Sequence, residues 1–337
     1  MGGYDRAARP MFNVTKRATQ GFKPSGDGGG GGGGVPFLVK AAVVGGVVAA
    51  SLYFLSQRQG GKADGAKAAV SSSSGAEKHE KKDVNAVLQE LSATAAKLRP
   101  TLSYAVTATK VADDAPVDKT RGQKKVHFVR HGEGYHNVAQ REWRQASKPG
   151  EPYTIDTDPE FKFIDALLTP AGVEQATALK RRAALVKPQL MVVSPMRRAS
   201  STGLIAFEAA VESGALPVVA HELCHETAGK HTCDKRLSRT ELSKLYPRVS
   251  YSLIETEEDP YWADGLTRET PSDVAVRSSK FIEWLWSRPE EHIVVAAHSG
   301  WLLATFNAVL QVDDSKDATW FGTGEMRTML LTFTPSP

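Results

Sequence analysis

Cysteine is nearly absent: Cys224 and Cys233 are the only two in 337 residues, which excludes a disulfide framework. A phosphate loop is missing as well. The glycine run from Gly28 to Gly34 is followed by Val35 rather than Gly-Lys-Ser/Thr, so it reads as a flexible linker. The single Asn-x-Thr triplet, Asn13-Val14-Thr15, gives no glycosylation signature to the later part of the chain. Met1-Gly2 opens like a myristoylation signal, but Arg6 stands where that signal needs Ser or Thr. There is also little excess of one charge, 42 Lys and Arg against 38 Asp and Glu. The excess sits at the front: residues 1–119 carry 16 basic and 10 acidic side chains, residues 120–337 carry 26 and 28. A basic groove is therefore not indicated in the larger part, and no nucleic-acid partner is expected.

Five segments can be read along the chain. Residues 1–34 form a basic, Gly-rich leader that cannot build a core, expected to be disordered. Residues 41–57 carry no charge, and extended back to Val35 with Lys40 snorkelling they are long enough to cross a bilayer; residues 35–57 are expected as a transmembrane or signal-anchor helix. Six Lys and Arg precede residue 41, which places the N-terminus on the cytosol-like side and the rest of the chain opposite it. The expected location is a single-pass membrane protein of the secretory pathway or of an organelle (mitochondrion or plastid). Residues 58–81 read as a tether, and 82–119 as a helix and connector, with Val84, Val87, Leu88, Leu91 and Leu98 at helical spacing before Pro100.

From residue 120 to 337 short apolar runs alternate with helical patterns. The runs are Val126–Val129, Leu190–Val193, Val218–Ala220, Ile293–Ala297 and Met329–Phe333. One helix is expected from the cap Thr169 and Pro170 through Val173, Ala176, Leu179 and Ala183, another over Trp301–Leu310. The pattern predicts an α/β fold of three layers, a mostly parallel sheet with helices on both faces.

In such sheets ligands bind beyond the carboxyl ends of the strands, so the residues just after each run carry the chemistry. They are Arg130-His131-Gly132, Ser194-Pro195-Met196-Arg197-Arg198, His221 leading to Glu226, and His298-Ser299-Gly300. Guanidinium forks match phosphate oxygens, and they favour the neutral, nucleophilic form of a neighbouring imidazole. With a carboxylic acid near the leaving oxygen, this set suits phosphoryl transfer through a phosphohistidine, with no metal required.

VHFVRHGEGYHN, SPMRRASST, ELCHETAGKHTCDKR and VVAAHSGWL resemble, in order, the motifs of the histidine phosphatase or phosphoglycerate mutase-like superfamily, most of all its plant and fungal phosphoglycerate mutase-like members. The resemblance covers roughly residues 120–337. It implies His131 as nucleophile, Arg130 and Arg198 as phosphate-binding arginines, and His298 as the second histidine, stabilising the phosphoryl group. It further implies Asn137 as a phosphate-pocket amide and Glu226 as proton donor. Ser299, where another branch has an acid, supports Glu226; His225 departs from the Arg that relatives commonly carry. No cofactor is implied, and the partner is a phosphorylated small molecule or a phosphoprotein.

Other residues have plainer readings. Arg197 reads as a solvated helix-start cation and His127 as a core side chain. Lys235 and Arg236 are candidate substrate contacts or surface charge. Cys224, His225, His231 and Cys233 lack the paired spacing of a zinc site, so no metal is expected. Three functions follow from the one site: a membrane-tethered phosphomonoester hydrolase, a phosphoglycerate mutase, and a non-catalytic membrane adaptor that binds phospho-ligands. The first is preferred over the mutase because no mutase-specific feature is readable, and over the adaptor because all five core residues are intact.

Overall fold

The computed structural model describes residues 73–336, with side chains from residue 84 onward; the leader, the apolar segment 35–57 and most of the tether lie outside the described residues. Among the described residues no helix is long and apolar enough to cross a membrane.

Eight strands form one sheet: β1 (Tyr104–Lys110), β2 (Gln123–Arg130), β3 (Leu190–Val193), β4 (Val218–Ala220), β5 (Val249–Ser250), β6 (His292–Ala297), β7 (Gln311–Val312) and β8 (Met326–Pro335), in the order β5-β4-β3-β6-β2-β8-β1-β7. The first five in that order are mutually parallel; β8 runs antiparallel to both β2 and β1, and β7 parallel to β1. Strands β3 and β4 are apolar at every position and β6 at all but His292, because both faces are covered. Val126, Phe128, Leu190, Val192, Ile293 and Val295 face one core, while Val129, Met191, Val193, Val294 and Ala296 face the other.

The first core is closed by α1 (Ser73–Leu98), α8 (Pro271–Ser287) and α9 (Ser299–Ala304), which contribute Leu91, Phe281, Leu285 and Trp301. Arg99 caps the arrangement by donating to the carbonyls of Ala308, Asn307 and Leu310, so α1 is fastened at its C-terminal end. The second core lies under α4 (Lys180–Ala183), α5 (Arg197–Ala206), α6 (Glu208–Glu212) and α7 (Arg239–Leu245), with α3 (Pro170–Ala178) packed on α5. The remaining helix, α2 (Tyr135–Gln145), follows β2 directly.

Three expectations need correction. The stretch 82–119 is more than a helix and connector, because β1 pairs with β8 along its whole length and buries Tyr104, Val106 and Ala108. The helix expected over 169–183 is two pieces that meet at Leu179; its start is as read, with the Thr169 hydroxyl accepting from Gly172 N–H and Pro170 in the first turn. The one expected over Trp301–Leu310 begins at Ser299 and changes to a π-turn at Thr305–Val309, where the Thr305 hydroxyl donates to the Trp301 carbonyl.

Candidate active site

The parallel register brings the strand ends together. His131 N–H donates to Ala297 O, Ser194 N–H to Ala296 O, and His221 N–H to Val193 O, so the residues that follow β2, β6, β3 and β4 line one edge. His131 and His298 stand side by side with ring centroids 5.1 Å apart. The loop after β2 presses on the start of α3: a Cβ on Gly132 would lie 2.4 Å from Gly172 O, so glycine permits the approach.

His131 is buried, and its Nδ1 donates to the Gly132 carbonyl at 2.6 Å, which leaves Nε2 with the free lone pair. Burial, then the guanidiniums of Arg198 and Arg130, hold the imidazole well below its usual pKa. His298, fully buried, pairs Nε2 with the Ser194 hydroxyl at 2.8 Å; burial and Arg198 lower its pKa in the same way.

Arg130 is anchored through Nη1 to Phe321 O at 2.6 Å. Arg198 is anchored twice, Nη1 to Cys233 O at 2.6 Å and Nη2 to Asp234 Oδ1 at 2.8 Å. Asp234 also meets Arg268 Nη1 at 3.4 Å and His231 Nδ1 at 3.5 Å, and His231 Nε2 reaches Glu151 at 2.6 Å. Burial alone would raise the Asp234 pKa, but these cations outweigh it and hold the carboxyl well below its usual range.

Glu226 lies over the N-terminus of α9. Its Oε1 accepts from Thr227 N–H at 2.9 Å and Trp301 N–H at 3.2 Å, its Oε2 from Gly300 N–H at 3.4 Å. The supporting loop is held by Arg277, which donates to the carbonyls of Leu223, His225 and Glu226 and pairs with Glu269.

Of the buried side-chain polar atoms without a hydrogen-bond partner among the described residues, four belong to this cluster: Arg130 Nε, Arg198 Nε, His298 Nδ1 and His136 Nδ1. An unpaired buried polar group costs about 1–3 kcal/mol, so four side by side call for a ligand rich in acceptors.

The remaining sequence-derived residues fall differently. Asn137 spends its Oδ1 on Gly134 N–H, at 2.9 Å, as the cap of α2. Arg236 is not a substrate contact: it is buried, grips both oxygens of Glu222 and donates to the carbonyls of Leu237, Thr256, Glu257 and Glu258, leaving its fork no free face. Lys235 places its ammonium 4.6 Å from the Trp262 ring centroid. Arg197 is not solvated; it ties α5 to the Asp165 and Ile164 carbonyls. His127 is a core residue bonded to the Thr328 hydroxyl. His136, Asp234 and Arg268 were missed, although His136 directly precedes Asn137 and Asp234 follows Cys233 in motifs already singled out.

His225 does not line the cluster either. Fully buried, it donates Nδ1–H to Glu226 O at 2.9 Å and Nε2–H to Asp259 at 3.2 Å. Burial opposes its charge, but Asp259 outweighs burial and raises the pKa to about 9. A raised histidine pKa stabilises fully below the unfolded value near 6.5, and the gain disappears as pH climbs through about 9. Urea unfolding should therefore show stability declining between those limits, and Asp259→Asn should flatten that decline. Below about pH 6.5 the sign reverses: His131, His136 and His298, kept neutral in the fold, leave the unfolded chain binding more protons, so acid destabilises.

Among the described residues, two clusters bring three ligand-type atoms within 4.8 Å, His231-Cys233-Asp234 and Glu222-His225-Asp259. Neither suits a cation. Asp234 already serves two arginines, Glu222 is gripped by Arg236, and Asp259 holds His225. Cys233 belongs to the first cluster, its Sγ against Asp234, whereas Cys224 belongs to neither, its Sγ against His221 O.

The histidine phosphatase superfamily (branch 1) model matches residues 126–334, and the chain belongs to that family. It is an enzyme of the histidine phosphatase, phosphoglycerate mutase-like type. A phosphoglycerate mutase-like protein of Arabidopsis thaliana is 35% identical over 207 residues, covering 53% of this chain and 72% of the relative. Phosphoglycerate mutase-like protein 1 of the same plant is 32% identical over 214 residues, covering 55% and 72%. Among solved structures, a mycobacterial glucosyl-3-phosphoglycerate phosphatase is 21% identical, covering 62% of this chain and 90% of its own, with a TM-score of 0.39.

Proposed function

We propose that this protein hydrolyses phosphomonoesters by two displacements at His131. The carrying observation is the set of unpartnered buried donors on Arg130, Arg198 and His298 around a histidine whose Nε2 is free. In the first displacement Nε2 attacks phosphorus, the ester P–O bond breaks, and the leaving oxygen takes a proton from Glu226. In the second, water attacks the phosphohistidine, its proton returns to Glu226, and the P–N bond breaks to release phosphate. Arg130 and Arg198 offset the charge on the equatorial oxygens, and His298 donates to them. Asn137 contributes its remaining amide group to the same pocket. This division of labour is metal-independent, so phosphate release should persist in EDTA; loss of activity on chelation, restored by a divalent cation, would contradict it.

Glu226 is positioned by a close approach: a Cβ on Gly300 would lie 2.6 Å from its Oε1. Gly300→Ala should push the carboxyl aside and lower kcat by roughly 10²-fold, while the melting temperature hardly moves, because only side-chain ends must give way.

The substrate is proposed to be a phosphorylated small molecule or phosphoprotein. The enzyme is proposed to be tethered through residues 35–57 to a secretory or organellar membrane, with its catalytic part opposite the N-terminus. The uncharged stretch 41–57 and the basic residues before it support this. Phosphate release from sugar phosphates, phosphoglycerates and phosphopeptides tests the activity, and isomerisation of phosphoglycerate without release would favour the mutase. Protease protection in intact compartments tests the tether; digestion of the C-terminal part would refute this orientation.

A further inference from the structure

Two imidazoles, not one, flank His131. The ring centroid of His136 is 5.6 Å from that of His131, against 5.1 Å for His298. It is 7% exposed, and its Nδ1 is buried without a partner.

The surroundings are built for this ring. It occupies the first turn of α2, and Gly134 leaves it room: a Cβ there would lie 2.6 Å from Nδ1. Tyr153 closes the other side at a centroid distance of 6.4 Å and is itself packed on His231 at 4.8 Å. Burial, then the nearby Arg198 guanidinium, keep the ring neutral at pH 7, so it carries one N–H and adds no charge to a pocket that already has two arginines.

We infer that His136 is a further catalytic residue, whose ring N–H at Nδ1 hydrogen-bonds the phosphoryl group while it passes to and from His131. The inference rests on the phosphatase reading above. The donor set becomes Arg130, Arg198, His298 and His136, a fourth unpartnered buried nitrogen for the three equatorial oxygens of a transferring phosphoryl group. No proton is transferred through His136; it stabilises charge only, and its contribution is largest where that charge is most spread.

The test uses the full chain, p-nitrophenyl phosphate as substrate, and orthovanadate and inorganic phosphate as ligands. His136→Phe keeps a ring and removes both nitrogens. It should lower kcat by roughly 10²-fold with little change in KM, and weaken orthovanadate more than phosphate. His136→Asn, whose amide reaches the Nδ1 position, should recover part of both losses and serves as the measurement if the Phe variant folds poorly. A folded His136→Phe protein with unchanged kcat and orthovanadate affinity would overturn the inference, as would an Asn variant that recovers nothing. His131→Ala separates the two levels: full phosphate release by that variant would sink the phosphohistidine reading itself, whatever His136 does.

Discussion

His131→Ala should abolish phosphate release, with a fall in kcat on the order of 10⁴-fold or more, as for removal of other covalent nucleophiles. The protein should remain folded. The imidazole makes one backbone hydrogen bond, to Gly132 O, and the strand end is held independently by His131 N–H on Ala297 O. Steady-state phosphate release and a thermal melt, run on the same preparation, check both halves. Unlike Gly300→Ala, which leaves the nucleophile in place, this change removes the imidazole that the first displacement needs. Imidazole added to the medium should restore some turnover, because the arginines and Glu226 remain in place.

Arg198→Ala should have the second-largest effect, and a different one. Its guanidinium is buried and satisfies both Cys233 O and Asp234. Removing it leaves the buried Asp234 carboxylate with only Arg268 and His231, the longer contacts, and denies the phosphate a bidentate fork. The melting temperature and phosphate affinity should therefore fall together. Arg198→Lys should return part of the stability by restoring charge, yet little of the catalysis, because a point charge cannot replace the fork. If Arg198→Lys matched the wild type in kcat, the fork would have no role. Equilibrium unfolding alongside kinetics of the two variants separates these contributions.

The parts of the site that were legible in the sequence were those attached to buried parallel strands. Val126–Val129, interrupted only by His127, and Ile293–Ala297 are covered on both faces and read as apolar runs, so the residues after them, His131 and His298, could be placed at one edge. Strand β1 was missed because it is antiparallel and only half covered: Tyr104, Val106 and Ala108 point inward while Thr107 and Thr109 are exposed, and that alternation spans only seven residues after Pro100. Helical periodicity carried across Leu179 could not reveal the break there, since Leu179 at the junction and Ala183 beyond it face the same core at helical spacing.

Long cations were the least legible. Whether Arg236 reaches outward or inward depends on Glu222 and on carbonyls of residues 256–258, none of which follows from local spacing. Arg197 and Arg198 are neighbours on one turn, yet the first ties down the loop at Asp165 and the second is buried against Cys233 O and Asp234. His136 was hidden for another reason: helix position alone does not show that a ring nitrogen lacks a partner. That requires the packing of Gly134 and Tyr153 around it.

The stereochemical course at phosphorus tests the double displacement most directly. With a phosphomonoester made chiral by oxygen isotopes, transfer to His131 and then to an acceptor alcohol inverts the configuration twice. The account predicts net retention, lost together with turnover in His131→Ala. Net inversion would mean direct attack by the acceptor, and would contradict a phosphohistidine at His131.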